Sequence, residues 1–341
     1  MIALTIVKCI FSLLGGLGVF MFGMRSLSII LTNSGNTKIK SLMTKMTNKG
    51  IRGITTGALI TASIQSSSAM TVMIVGFVNS GLMSLLQATY LIMGANIGTT
   101  LTGFIISLES LPITQFLTTL TAIGVFGKML CNKEKPKQIF EVLTALGMIF
   151  MGLFVMSNST NSFAKIHEVK NLFLATTNPA LLFMISMLAT GIIQSSTAGT
   201  GIVMGFASSG LMSLESALYC VLGMNVGTCI TALIASIGTS INGKRTALIH
   251  LLFNLIGTLE FFLLFFIPPI KAFIFSLLPT KTIALSIAIF NLIFNVISTI
   301  TVAPFAKGFV RLVEIFTPEN KKKTKKKDLL PKFSNKKNKP L

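Results

Sequence analysis

The sequence predicts an all-α integral membrane protein built from two copies of one helical unit. Of the 341 residues, 52% are apolar and 11% are charged. With a mean hydropathy of +0.80, such a composition is typical of a chain that crosses a bilayer several times. Backbone groups inside lipid must pair within their own segment, so we expect helices rather than open sheets. A long internal repeat supplies the two copies.

The repeat appears when the chain is aligned with itself 129 residues further on. Segment 65–69 (Gln-Ser-Ser-Ser-Ala) then matches 194–198 (Gln-Ser-Ser-Thr-Ala), and 94–99 (Gly-Ala-Asn-Ile-Gly-Thr) matches 223–228 (Gly-Met-Asn-Val-Gly-Thr). The alignment needs no gap. A repeat of this kind in an apolar chain indicates a duplicated membrane bundle.

Several segments are long enough to span a hydrocarbon core of about 30 Å, which takes roughly 20 helical residues. The first apolar run is too long for a secretory signal and lacks a small-residue cleavage pattern, so we interpret it as a span. The predicted spans are 4–31, 84–107, 110–130, 138–157, 213–236, 246–268 and 282–304.

Basic residues predict which segments cross and which return. The loops near 33–52 and 128–137 are rich in lysine and arginine, so the positive-inside rule places both in the cytoplasm. Three crossings between them would put them on opposite sides. The conflict disappears if 53–82 is a re-entrant hairpin broken at its four polar residues. Its counterpart 179–211 then enters from the opposite face, which makes the duplication an inverted repeat.

The same reasoning divides the chain into three parts. Residues 1–137 form the first repeat unit, 138–305 the second, and 306–341 an amphipathic end with a lysine-rich cytoplasmic tail. The nearly charge-balanced segment 158–178 suits an external loop. Lysine and arginine number 29 against 9 acidic residues. We interpret this excess of basic residues as a determinant of membrane topology and of contact with anionic lipid, rather than as a sign of nucleic-acid binding.

The polar tetrads at the two predicted breaks are candidates for an anion site. A helix that begins inside the membrane presents free N–H groups and the positive end of its dipole. Hydroxyls add donors and can also turn lone pairs towards a cation. A single polar pair would favour interhelical packing, whereas two matching tetrads favour binding. The predicted substrate-binding residues are Gln65, Ser66, Ser67, Ser68, Gln194, Ser195, Ser196 and Thr197.

The second repeated element places glycine, amide and hydroxyl groups inside apolar segments. Its glycines permit a local unwinding, and we expect a discontinuous helix here in each copy; for the glycines taken alone, close helix packing is the better interpretation. Asparagine and threonine oxygens are hard ligands that suit an alkali cation. The predicted sodium-binding residues are Gln65, Ser68, Asn96, Thr99, Thr100, Gln194, Thr197, Asn225 and Thr228.

No enzyme motif is recognisable, so we expect no catalytic activity, no organic cofactor and no metal beyond sodium. There is no phosphate-cradling glycine loop, no metal-spaced histidine pair and no serine with a histidine and acid partner. The four cysteines are interpreted as buried small residues. Arg25, Glu141, His250 and Glu260 are candidate charge relays, although a lone charge near a helix end more often snorkels to the interface.

These motifs resemble the type II sodium/phosphate cotransporters and their bacterial relatives, which carry two Gln-Ser-Ser-Ser repeats followed by Gly-Ala-Asn-Ile-Gly-Thr-Thr-like segments. The similarity covers about residues 10–305, and segment 245–257 resembles bacterial members. It implies sodium-coupled transport of inorganic phosphate, with the tetrads facing each other around phosphate and sodium. The chain departs from the pattern at Thr197, where the tetrad ends in threonine, and at Cys229, which takes the place matched by Thr100.

The resemblance also implies a multi-pass protein of the cytoplasmic membrane, with phosphate, sodium and the lipid bilayer as partners, and it leaves open a homo-oligomer. Many bacterial members carry a C-terminal PhoU-like domain; here a lysine tail follows the last span, and we expect no regulation through such a domain within the chain. One alternative keeps the fold but transports another oxyanion or exports phosphate. Another is a passive channel or membrane scaffold whose polar repeats only hold helices together.

Overall fold

The computed structural model describes residues 2–45, 50–110, 114–279 and 282–318, with side chains described outside 34–45 and 110–115. No described residue lies in a strand. The α-helices are α1 (Ile2–Lys45), α2 (Gly50–Ile64), α3 (Ser67–Asn79), α4 (Leu85–Ser107), α5 (Thr114–Thr118), α6 (Leu120–Leu130), α7 (Glu134–Ala164), α8 (His167–Ala175), α9 (Pro179–Ile193), α10 (Ser196–Ser208), α11 (Leu214–Ala235), α12 (Ile241–Phe265), α13 (Pro268–Ser276), α14 (Ile283–Val302) and α15 (Ala306–Phe316).

Six helical segments of the described chain are long and apolar enough to cross a membrane. The all-helical, multi-pass class is therefore confirmed. A further apolar pair, α8 and α9, bends by 109° at its break. The six segments are Ile2–Asn33, Leu85–Ser107, Glu134–Ala164, Leu214–Ala235, Ile241–Phe265 and Ile283–Phe316.

Three predicted boundaries were wrong. In segment 110–130, the described apolar helix Phe116–Leu130 is shorter than the expected span, and Thr119 within it keeps helical backbone angles. The expected loop 33–52 is helical as far as Lys45, since no proline interrupts it and a helix can continue beyond the apolar region. Its lysine side chains at 38, 40, 45 and 49 lie outside the described residues, as does the lysine tail from 319 onwards.

The expected external loop 158–178 is also largely helical. The helix α7 continues through Ala164, and α8 follows after two residues. Within α7, the Ser162 hydroxyl donates to the Asn158 carbonyl at 2.8 Å, and the hydroxyls of Ser159 and Thr160 likewise bond to carbonyls of their own helix. A balanced charge therefore does not predict the secondary structure of this segment.

Each polar tetrad interrupts a helix at the predicted place. The helix α2 ends before Gln65, whose φ is +54°, and α9 ends before Gln194, whose φ is +57°. Left-handed backbone of this kind is uncommon outside glycine. The next residue in each copy, Ser66 or Ser195, caps the following helix. These two breaks divide the apolar segments into α2 with α3 and α9 with α10.

The predicted discontinuous helix is wrong, because α4 and α11 continue without a break through their repeated glycines. The glycines instead permit close packing. A Cβ atom on Gly94 would lie 1.9 Å from the carbonyl oxygen of Ile54, and one on Gly223 would lie 2.2 Å from that of Phe183. Phe183 is the repeat counterpart of Ile54, so both copies use the same contact.

The long helices α1 and α7 cross in a reciprocal way. A Cβ atom on Gly16 would lie 2.9 Å from the carbonyl oxygen of Gly152, and one on Gly23 would lie 2.9 Å from that of Ala145. Since Ala145 and Gly152 are the repeat counterparts of Gly16 and Gly23, each copy presents the same residues to the other. The contact between α1 and α7 is therefore self-complementary, as in a pair of helices related by a twofold axis.

Aromatic packing joins α12 to α14. Phe261 of α12 packs edge-to-face on Phe290 and Phe294 of α14, with ring centroids 5.5 and 5.3 Å apart. All three rings are fully buried. The contact holds α12 against α14, which in turn packs beside α4 and α11 near the tetrads.

Candidate binding site between the two copies

One cavity of about 450 Å³ brings the two tetrads together. Its volume falls in the range of small-ligand pockets. The rest of its lining comes from α1, including Arg25 and Ser28. All eight predicted substrate-binding residues border it, which are Gln65, Ser66, Ser67, Ser68, Gln194, Ser195, Ser196 and Thr197.

Two helices begin at this cavity. The backbone N–H of Ala69 donates to the Ser66 hydroxyl oxygen, and that of Ala198 donates to the Ser195 hydroxyl oxygen, both at 3.2 Å. Each serine oxygen is therefore an acceptor for its own helix and keeps a proton that can be donated elsewhere. The free N–H groups of the first turn and the helix dipole add positive potential at the same points. The two starts present one kind of surface to the cavity, suited to an anion.

The two glutamines differ in their hydrogen bonds. The amide nitrogen of Gln65 donates to the Ala62 carbonyl at 2.5 Å, and its amide oxygen accepts the Thr102 hydroxyl at 2.8 Å. The side chain of Gln194 forms no hydrogen bond with another described residue. Thr231, the counterpart of Thr102, donates to the Thr228 carbonyl at 2.9 Å instead. The second glutamine thus has an amide available to a ligand.

A second, much smaller cavity of about 10 Å³ lies beside the first, which is close to the space that one water needs. Thr99, Thr197 and Asn225 of the predicted sodium ligands line it together with Ser196. The amide nitrogen of Asn225 donates to the Asn291 side-chain oxygen at 3.1 Å. Ser196 and Thr197 border both cavities, so a cation in the small one would lie next to an anion in the large one.

Three predicted sodium ligands border neither cavity. Asn96 donates to the Ile92 carbonyl at 3.3 Å. The hydroxyls of Thr100 and Thr228 donate to carbonyls of their own helices at 2.7 and 2.8 Å. All three side chains are held within α4 or α11. The other predicted ligands are divided between the large and the small cavity.

Five polar residues of these walls were not predicted as ligands, which are Arg25, Ser28, Thr102, Thr200 and Asn291. Arg25 was considered as a charge relay and interpreted as snorkelling, but it lines the large cavity with Ser28. Thr102 and Asn291 line the small one. Asn291 is polar in an apolar span and lies four residues before Asn295, whose amide nitrogen donates to its side-chain oxygen at 3.1 Å. This pair of asparagines, four residues apart in an apolar segment, is the sequence feature that could have predicted a polar site on α14.

Arg25 is the one charged residue among the described residues that line the large cavity, and no acidic residue accompanies it there. The guanidinium and two helix starts therefore act in the same direction on an anion. The small cavity is bordered by neutral oxygens and amides. Together the two cavities could hold an anion and a small hard cation side by side.

The comparisons with known proteins agree with a duplication. A family profile described as Na+/Pi-cotransporter matches residues 19–158 and again residues 152–301. Over 300 residues the chain is 30% identical to "Uncharacterized protein YqeW" of Bacillus subtilis, covering 88% of this chain and 95% of that protein. No solved structure matches the chain.

Two other relatives have names that mention phosphate. "Putative inorganic phosphate export protein YjbB" of Salmonella typhimurium is 25% identical over 80% of this chain, which spans 49% of that protein's length. "Sodium-dependent phosphate transport protein 2A" of Rattus norvegicus is 45% identical over 58 residues, or 17% of this chain and 9% of that protein.

Proposed function

The chain belongs to the Na+/Pi-cotransporter family, and on that premise we propose that it couples sodium movement to the transport of inorganic phosphate across a membrane. One observation carries the proposal: the two repeated tetrads, 129 residues apart in sequence, border a single cavity. Packing alone would not require an open space at that point.

Phosphate is bound in the large cavity by hydrogen-bond donors from both copies. The hydroxyl protons of Ser66 and Ser195 and the first N–H groups of α3 and α10 donate to phosphate oxygens. The free amide of Gln194 adds a further donor. Arranged in this way, the site holds a compact anion by hydrogen bonds from both copies.

Sodium is bound in the small cavity, where threonine and asparagine oxygens are the available ligands. A cation there lies beside the anion across Ser196 and Thr197. Opposite charges a few ångströms apart attract, so each ion raises the affinity for the other. Because such coupling is reciprocal, sodium lowers the phosphate concentration needed for binding and phosphate lowers the sodium concentration.

The exchange of contacts between α1 and α7 supports a proposal of alternating access. We propose that the copies are inverted in the membrane, with re-entrant segments 53–82 and 179–211, and that rocking of one copy against the other opens the site to each side in turn. The positive-inside rule places the basic loops and the lysine tail in the cytoplasm.

Export of phosphate is the second candidate function. The name of the YjbB relative, a putative inorganic phosphate export protein, favours it. The same site serves both directions, since a secondary transporter follows its gradients. Direction is therefore a separate measurement from coupling.

Flux in proteoliposomes tests the proposal. Purified protein is reconstituted, and uptake of radiolabelled phosphate is compared under an inward sodium gradient and an equal choline gradient. We expect saturable uptake that needs sodium. Equal flux with both cations would instead support a passive channel, and no flux of phosphate, arsenate or sulfate would support a scaffold. Vesicles loaded with phosphate under the same sodium gradient report export as accelerated efflux.

Matched variants connect the flux to the cavity. Replacing Ser66 or Ser195 by phenylalanine fills the cavity and should abolish uptake. The control is Ser80→Phe, an exposed position at the end of α3, which should leave uptake unchanged. Gel filtration of each variant verifies folding. A folded, fully active Ser66→Phe protein would show that phosphate does not use this cavity.

A further inference from the structure

The wall of the large cavity distinguishes the two copies. Arg25 on α1 lines it, and the residue that corresponds to it in the second copy is Phe154 on α7. One turn further, Ser28 corresponds to Ser157. The two copies therefore share the hydroxyl at the second position, but at the first position one copy has a cation and the other an aromatic ring.

Arg25 is free to meet a ligand. Its side chain is exposed, and it forms no hydrogen bond or ion pair with another described residue. A guanidinium presents a planar fork of N–H donors that matches two oxygens of a phosphate. The cation is therefore available at the border of the site rather than used in the packing of α1.

Besides the two tetrads, the cavity borders only one of the two long helices, α1. Its wall is completed by residues of α1, and no described residue of α7 borders it. The contacts between α1 and α7 are reciprocal. A conformational change that closes the cavity along α1 and opens it along α7 would therefore bring the α7 residues that correspond to the α1 lining to the site. Phe154, which is partly buried here, would then stand where Arg25 stands now.

Resting on the function proposed above, we propose that Arg25 is an anion-binding residue of one access state, so that the site binds phosphate more tightly when it opens along α1 than when it opens along α7. By the positive-inside rule, the lysine-rich stretch 38–52 at the end of α1 and beyond places this opening in the cytoplasm. The protein thus captures phosphate more readily from the cytoplasm than from outside. Such an asymmetry favours outward loading at equal phosphate concentrations.

The size of the effect is set by one charge-assisted contact. An accessible guanidinium that bonds two phosphate oxygens should change the affinity about tenfold, because partial solvation reduces what a buried pair would give. Glutamine at position 25 keeps hydrogen-bonding capacity but removes the charge. Lysine keeps the charge but lacks the fork, so we expect it to restore part of the affinity.

Sided flux measurements test the inference. Right-side-out and inside-out membrane vesicles containing the full chain are given radiolabelled inorganic phosphate, and the concentration for half-maximal entry is measured from each side. For the unmodified protein we expect a value about tenfold lower from the cytoplasmic side. Arg25→Gln should raise that value about tenfold and leave the other side unchanged. An equal change on both sides, or no change, would overturn the proposal.

The counterpart position provides a second variant. Phe154→Arg should lower the half-maximal concentration from the outside about tenfold, while Ser80→Arg, which adds the same charge at an exposed position at the end of α3, should leave both sides unchanged. These variants keep the test decisive even where Arg25→Gln does not fold. Unmodified protein that neither binds nor moves phosphate would reject the proposed function and this inference with it. Sodium-coupled flux without a sided effect of Arg25→Gln would reject the inference alone.

Discussion

Replacing Gly94 by alanine should separate α2 from α4. The new Cβ atom would lie 1.9 Å from the carbonyl oxygen of Ile54, whereas real Cβ atoms essentially never approach closer than 3.0 Å. The helices must therefore move apart by about 1.1 Å at this point, the difference between the two distances. Backbone cannot rotate away as a side chain does. Overpacking of this kind should destabilise the protein by about 1 to 3 kcal/mol.

The displacement also reaches the cavity, because α2 ends at Ile64, directly before Gln65. We expect Gly94→Ala to lower the melting temperature in detergent by several degrees, on the order of 2 to 10 °C, and to weaken phosphate binding. Gly223→Ala makes the equivalent change in the second copy, since its Cβ would lie 2.2 Å from the Phe183 carbonyl oxygen.

Gly76→Ala is the matched control. Gly76 lies inside α3, and a Cβ atom there would meet no atom within 4 Å. Alanine should stabilise this helix by roughly 0.5 to 1 kcal/mol through its lower backbone entropy. Differential scanning fluorimetry of the three variants provides the comparison. Equal melting temperatures for Gly94→Ala and Gly76→Ala would refute the close contact between α2 and α4.

Two further predictions concern separate parts of the molecule. Asn291→Leu removes from the small cavity the side-chain oxygen that accepts the Asn225 amide at 3.1 Å. The sodium concentration for half-maximal uptake should then rise roughly 5- to 30-fold, as expected for a lost buried hydrogen bond. An unchanged sodium dependence would exclude this cavity as the sodium site. Burial raises the pKa of Glu109 above its ordinary value of 4.5, and a hydrogen bond from Ser157 offsets part of this shift. Because the folded state then holds the proton more tightly than the unfolded state, the stability of the protein should fall as pH rises from 4.5 through the raised pKa. In thermal melts, Glu109→Gln should lack this dependence of the melting temperature on pH.

The tetrads could be found from the sequence because they interrupt apolar helices twice. Four adjacent polar residues cannot all be satisfied in a lipid-facing helix, so the chain breaks there and caps the next helix with Ser66 or Ser195. The alignment of the copies also identified the glycines as packing positions. These features depend on residues that are close together in the chain, so the sequence alone is enough to predict them.

The remaining features depend on which helices meet. Whether Arg25 snorkels or lines a cavity is decided by the position of α1 relative to both tetrads, and the sequence alone does not contain this position. The partner of Asn225 lies on α14, a helix outside the repeated motifs, so the alignment of copies could not identify Asn291. Similarly, Thr99 and Thr100 were equivalent as ligands in sequence, but the direction of each side chain on α4 brings only Thr99 to the small cavity.

The helix boundaries show a different limit. Charge balance and basic residues indicate the side of a membrane, but they do not end a helix. The stretch after the first apolar run therefore continues as helix to Lys45.

The number of phosphate ions bound per chain tests most directly whether the two copies share one site. Equilibrium binding of radiolabelled phosphate to the purified protein in sodium should saturate at one phosphate per chain, because both tetrads border the same cavity. Ser66→Phe and Ser195→Phe should each abolish binding completely. Two phosphates per chain, with one retained in each variant, would contradict a shared site and show that each copy binds alone.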